Sequence, residues 1–63
     1  MTKLIVGQKY LTPLDRVVVL LGEIETGINC HYLDKDGQLE MGKDSSVTFR
    51  PDFARRYLIA APV

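Results

Sequence analysis

The sequence predicts one small all-β domain. Period-two alternation of apolar and polar residues recurs along the chain and is broken by turn residues at short intervals. "VVVLLGEI", residues 17–24, opens on a run of β-branched side chains, which favour strands. The length of 63 residues leaves room for one core and one domain over residues 1–63.

Each element follows from local residue chemistry. "KLIVGQKYL", from Lys3, reads as an opening strand with a bend at Gly7. "TPLDR" is a turn, because Pro13 fixes φ and Asp15 can bond to nearby backbone. Residues 17–24 form the strongest strand. Their apolar run has two apolar faces, so both should be at least partly covered, but a continuous run does not reveal register. After the "ETG" turn, "INCHYL" puts Ile28, Cys30 and Tyr32 on one face and Asn29, His31 and Leu33 on the other.

"YLDKDGQLE", residues 32–40, has the look of a calcium loop. Register excludes it. With Gly37 at position 6 of an EF-hand loop, position 1 is Tyr32 and position 12 is Lys43, where carboxylates are required. Asp34-Lys35-Asp36-Gly37 is instead a type I turn whose glycine has φ > 0 and forms a bulge. Leu39 and Met41 then alternate with Gln38 and Glu40, "GKDSS" is a second loop, and Val47 and Phe49 alternate with Thr48 and Arg50. The expected core is Val17 or Val18 with their alternates, Ile28, Cys30, Tyr32, Leu39, Met41, Val47 and Phe49.

The end, "RPDFARRYLIAAPV", admits two readings. Pro51 at a first helical position and Asp52 in the first turn favour a short helix with Phe53, Tyr57, Leu58 and Ala61 on one face. The favoured alternative is one 3₁₀ turn over Pro51–Arg55 and a last strand "RYLIAA". A barrel of five strands needs a strand to close it.

The order of a "GQKYLTPLDRVVVLL" strand pair, two hairpins, "VTFRPDF" and a short final strand resembles the SH3-like small barrels, which include Tudor and KOW modules. The resemblance covers nearly the whole chain and rests on architecture and turn spacing. It implies a five-stranded barrel with a 3₁₀ turn or short helix near the C-terminus, and a function in binding. It brings no ligand-binding residue with it, since the chain has no tryptophan for an aromatic ligand groove.

Composition narrows the function. Eight basic and eight acidic side chains cancel, which argues against a nonspecific nucleic-acid binder. No apolar run approaches the length of a membrane span, and the first residues are too short a patch for a signal peptide. One cysteine permits no internal disulfide, and a lone thiol without an export signal points to the cytoplasm. So small a domain with a two-sided apolar strand also suggests a homodimer.

No chemistry is spelled out. Cys30 and His31 adjoin on a strand and therefore point to opposite faces, so neither activates the other. One Cys and one His fall short of the usual four ligands of a zinc site, which leaves only a metal shared at a dimer interface. Ser45 and Ser46 have no acid–base partner nearby, and Glu23 and Glu25 read as a solvated strand face. The expectation is a protein that is not an enzyme and needs no metal or cofactor. It would serve as a protein-interaction or assembly module with an unidentified protein partner. The runner-up is weak RNA or single-stranded DNA binding by the Arg50, Arg55 and Arg56 cluster beside Tyr57. Those arginines are expected to pair with nearby acids on a solvated surface. Tyr10 and Tyr57 are the aromatics expected to be partly exposed, so the candidate binding surface is Tyr10, Arg50, Arg55, Arg56 and Tyr57.

Overall fold

In the computed structural model, which describes residues 4–61, five antiparallel strands and one short helix share a single core. The strands are β1 (Lys9–Leu11), β2 (Val17–Ile24), β3 (Gly27–Tyr32), β4 (Ser46–Phe49) and β5 (Ile59–Ala60), with helix α1 (Pro51–Tyr57) between the last two. Their order in the sheet is β4-β3-β2-β1-β5, and β4 is not hydrogen-bonded to β5. The first residue of the expected opening strand, Lys3, lies outside the described residues. The rest of that strand is shortened to β1, with the bend at Gly7 in place at φ 87°.

Register, which the apolar run of β2 concealed, is set by its neighbours. Tyr10 pairs with Val18, Val18 with Tyr32, and Leu20 with Cys30. Directly opposed residues share a face, so Val18 and Leu20 point into the core and Val17 and Val19 point away. A bulge between Leu20 and Gly22 then shifts the register. The core consists of Tyr10, Val18, Leu20, Ile28, Cys30, Ala54 and Leu58, with Leu4, Tyr32, Val47 and Phe49 packed against it.

The outward face of β2 is covered in part by the chain itself. The segment between β3 and β4 folds back over it. His31, paired with Val19 on that face, places its Nε2 2.9 Å from the Glu40 carbonyl oxygen. Lys9, also opposite Val19, brings its ammonium beside Gly37.

Leu39 and Met41 were expected in the core, and both are exposed, by 55% and 91%. They belong to an excursion pinched at its base by Tyr32, whose N–H donates to Ser45 and whose carbonyl accepts from Glu40. Only the Leu33–Leu39 bridge continues the ladder there. Alternation without a paired neighbour buries nothing.

The Asp34–Gly37 corner has the expected form. The Gly37 N–H donates to the Asp34 carbonyl, and the Asp34 N–H donates to Gln38. Asp34 Oδ1 accepts from the N–H groups of Asp36 and Gln38 at 2.9 and 3.0 Å, so this carboxylate caps the turn. Gly37 has φ 82°. Gly37→Ala is expected to lower stability by about 1 kcal/mol, the cost of forcing a side chain into that conformation. Added calcium should leave the melting temperature unchanged, and a calcium-dependent rise would restore the metal-loop interpretation.

The C-terminal segment is an α-helix over Pro51–Tyr57 followed by a short strand, in place of the favoured 3₁₀ turn and longer strand. Pro51 starts it, Asp52 lies in its first turn, and Arg55 and Arg56 lie in its last, each charge matched to the nearer end of the helix dipole. Its buried face is Ala54 and Leu58, one turn apart. Phe53 and Tyr57 are turned to the flank.

Candidate functional site

Two hollows meet at Phe53. The first is a groove of about 310 Å³ lined by Thr12, Pro13, Leu14, Arg16, Tyr32, Phe49 and Phe53. Four elements contribute to it: the β1–β2 turn, the end of β3, the end of β4 and the first turn of α1. Three hydrogen bonds hold the β1–β2 turn. Thr12 N–H donates to the Arg16 carbonyl, Asp15 N–H donates to the Thr12 carbonyl, and Arg16 N–H donates to Thr12 Oγ1. Asp15 takes a positive φ of 66°, which aspartate tolerates better than most residues. The turn carries Leu14 into solvent, 84% exposed.

The polar end of the groove is Arg16. Its guanidinium lies 4.5 Å from the centre of the Tyr32 ring and forms an ion pair with Glu40. A cation over an aromatic face with a carboxylate beside it has both demands met, so the groove presents no unanswered charge.

The second hollow, of about 220 Å³, is lined by Arg50, Asp52, Phe53, Arg56 and Tyr57. An aromatic ladder runs alongside. The Phe49 and Phe53 rings stack with centroids 5.5 Å apart and planes 10° from parallel, and Tyr57 tilts against Phe53 at 4.9 Å. Phe53 and Tyr57 are one helical turn apart on α1, and Phe49 reaches them from the end of β4. Tyr57, the outer rung, is 47% exposed.

Four of the five expected surface residues lie on the molecular surface. Arg50, Arg56 and Tyr57 come together in one hollow, and Arg55 is exposed on α1 outside it. Tyr10 must be withdrawn from the binding surface. It is 1% exposed, wedged between Val18 and Ala60 in the sheet, and its hydroxyl accepts the Ile5 N–H at 2.8 Å. The expected pairing of the arginines with acids does not occur either. Among the described residues the ion pair is Arg16–Glu40, and Arg50, Arg55 and Arg56 have no carboxylate in contact. The groove residues Pro13, Leu14 and Tyr32 were missed as a site. The exposed leucine after Pro13, in a turn that needs no apolar residue, was the available signal.

Cys30 and His31 point to opposite sides of β3, as strand geometry requires. Cys30 is fully buried, and burial pushes its thiol up from 9.0 to about 11. The unfolded thiol therefore ionises first as pH rises. The stability that depends on the neutral thiol is complete below pH 9 and is lost as pH climbs through 11, amounting to about 2–3 kcal/mol at 1.36 kcal/mol per unit. Denaturation midpoints measured from pH 8 to 11 should fall more steeply for the natural protein than for Cys30→Ala. Equal slopes would remove Cys30 as the cause.

Among the described residues no group of three or more His, Cys, Asp or Glu side chains is arranged to hold a metal ion, and no helix is long and apolar enough to cross a membrane. Comparison with known protein families, curated proteins and solved structures finds no match.

Proposed function

We propose that the chain is an SH3-like small barrel that works as a protein-interaction module, its groove receiving an extended, uncharged, apolar segment of a partner protein. The observation that carries this is the groove itself. Tyr32, Phe49, Phe53, Pro13 and Leu14 line it, and its one cation is already neutralised by Glu40. A volume near 310 Å³ is at the small end of ligand sites, about 300–1,000 Å³, and suits a few apolar side chains. The barrel reading is supported by the strand order β4-β3-β2-β1-β5, with β1 between β2 and β5 and a helix linking the two edge strands.

Leu14→Asp tests the proposal, because an 84% exposed side chain can be changed with little effect on folding. Tagged natural and variant proteins are compared as baits, with and without nuclease. A partner protein that survives nuclease and is lost with Leu14→Asp supports the groove. Capture that ignores Leu14→Asp, or that disappears with nuclease alone, overturns it.

A second copy of the chain is the alternative protein partner. Leu21, Ile24 and Ile59 are exposed apolar side chains outside the groove. Self-association through them would make the melting temperature rise with protein concentration.

A further inference from the structure

The hollow beside α1 has a different chemistry from the groove. We propose that it is a binding site for single-stranded nucleic acid, in which Tyr57 stacks on a base while Arg50 and Arg56 hold the adjoining phosphate. This goes beyond the protein-interaction reading and stands on separate residues, apart from Phe53, which lines both hollows.

Three observations carry it. The Phe49–Phe53–Tyr57 ladder ends on a half-exposed ring. Inner rungs hold that ring in place, and the next flat, apolar surface added to the ladder would come from a ligand. Arg50 and Arg56 line the same hollow as Tyr57, and neither is engaged by a carboxylate among the described residues. Guanidinium groups without acidic partners are suited to phosphate, which they bind through parallel hydrogen bonds. A base-stacking ring beside phosphate-binding arginines is the combination by which proteins grip single strands without reading sequence.

The geometry favours a single strand over a duplex. Stacking on Tyr57 needs an open base face, and a base inside a duplex has both faces covered by its neighbours. The helix of seven residues is about 10 Å long at 1.5 Å per residue, so the platform spans only a few nucleotides. It also favours nucleic acid over a peptide phosphorylated on serine or threonine, whose phosphate brings no flat ring to the ladder. Asp52 opposes the phosphate from the rim of the hollow. Together with zero net charge, it keeps the affinity modest and gives the site a distinctive response to mutation.

The test is fluorescence anisotropy with a labelled oligothymidylate of about eight nucleotides, an abasic strand of the same length, and a duplex, across 50–200 mM salt. The single strand is expected to bind best. One neutralised phosphate gives a log–log salt slope of roughly −0.7. Arg50→Ala with Arg56→Ala should abolish both binding and slope. Tyr57→Leu, which keeps an apolar side chain on the flank, should weaken binding by about 5- to 150-fold, the loss of one base–aromatic stack. Asp52→Asn should tighten binding several-fold, and its exposed position separates that gain from any folding defect. An abasic strand or a duplex that binds as well as oligothymidylate overturns the proposal. So does an unchanged affinity in Asp52→Asn, or no binding of the single strand at millimolar protein in 50 mM salt.

Discussion

Gly27→Ala is expected to remove much of the protein's stability. Gly27 opens β3 just after the Glu25-Thr26 turn, with φ 146°, a conformation that side chains rarely adopt. It is also buried and packed against the end of β4. A Cβ there would overlap the Phe49 carbonyl oxygen and lie 3.1 Å from its carbon and 3.3 Å from Thr48 Cγ2. The obstacle is backbone, so no side-chain rotation relieves it. Backbone strain of about 1–3 kcal/mol adds to an overpacking cost of about 1–3 kcal/mol. A domain of 63 residues has a total stability of about 3–9 kcal/mol at 0.05–0.15 kcal/mol per residue, so the substitution removes much or all of it. Gly22→Ala is the control. Nothing lies within 4 Å of its Cβ position and its φ is ordinary for an L-residue, so it should change stability by no more than about 0.5 kcal/mol. Thermal or urea denaturation followed by circular dichroism checks both. A Gly27→Ala protein melting within a few degrees of the natural one would mean that β4 does not approach Gly27 this closely.

The consequence reaches function. Phe49 closes β4 and also forms the inner rung of the aromatic ladder and one wall of the groove. The close approach at Gly27 fixes where β4 ends, and thereby where Phe49 sits. A glycine that lines neither hollow thus helps to position residues that do.

What could be read from the sequence was whatever local chemistry decides. The Asp34–Gly37 corner was legible because Asp and Gly have few other reasons to stand in that order, and one carboxylate oxygen caps the turn. The opposition of Cys30 and His31 was legible because strand geometry alone dictates it. The phase of β2 was not, since every residue from Val17 to Leu21 is apolar and only pairing with Tyr10, Tyr32 and Cys30 decides which of them face the core. Leu39 and Met41 alternate as strand residues do, but nothing in their neighbourhood records that pairing there shrinks to a single bridge at Leu39. The groove was hidden for a related reason. Its walls come from residues 12–14, 16, 32, 49 and 53, and only the folded sheet brings them together. The members of the arginine hollow lie within one short segment, residues 50–57, so they stay close together whichever way that segment folds.

Tyr10 is where a surface expectation and a core position lead to opposite measurements. A tyrosine on the binding surface could be truncated with little loss of stability. A tyrosine at the centre of the core could not. The structure places it in the core, against Val18, Leu20, Cys30 and Leu58 in one cluster, so Tyr10→Ala is expected to cost about 3–5 kcal/mol, as for other large aromatic truncations. In so small a domain that is enough to populate the unfolded state without denaturant. The hydroxyl can be isolated from the ring. It accepts the Ile5 N–H at 2.8 Å and so ties the segment before β1 to the core. Tyr10→Phe keeps the packing and removes this acceptor, leaving a partly buried donor unpaired. The expected cost is about 1 kcal/mol, in the range for a lost intramolecular hydrogen bond. Amide exchange offers a second, local readout, because the Ile5 amide should lose protection in Tyr10→Phe while the amides of β2 and β3 keep theirs relative to the new global stability. Urea midpoints for Tyr10→Ala and Tyr10→Phe that match the natural protein would return Tyr10 to the surface. If they fall as expected, loss of partner binding in Tyr10→Ala reports unfolding, and Tyr10→Phe, still folded, should bind its partner as the natural protein does.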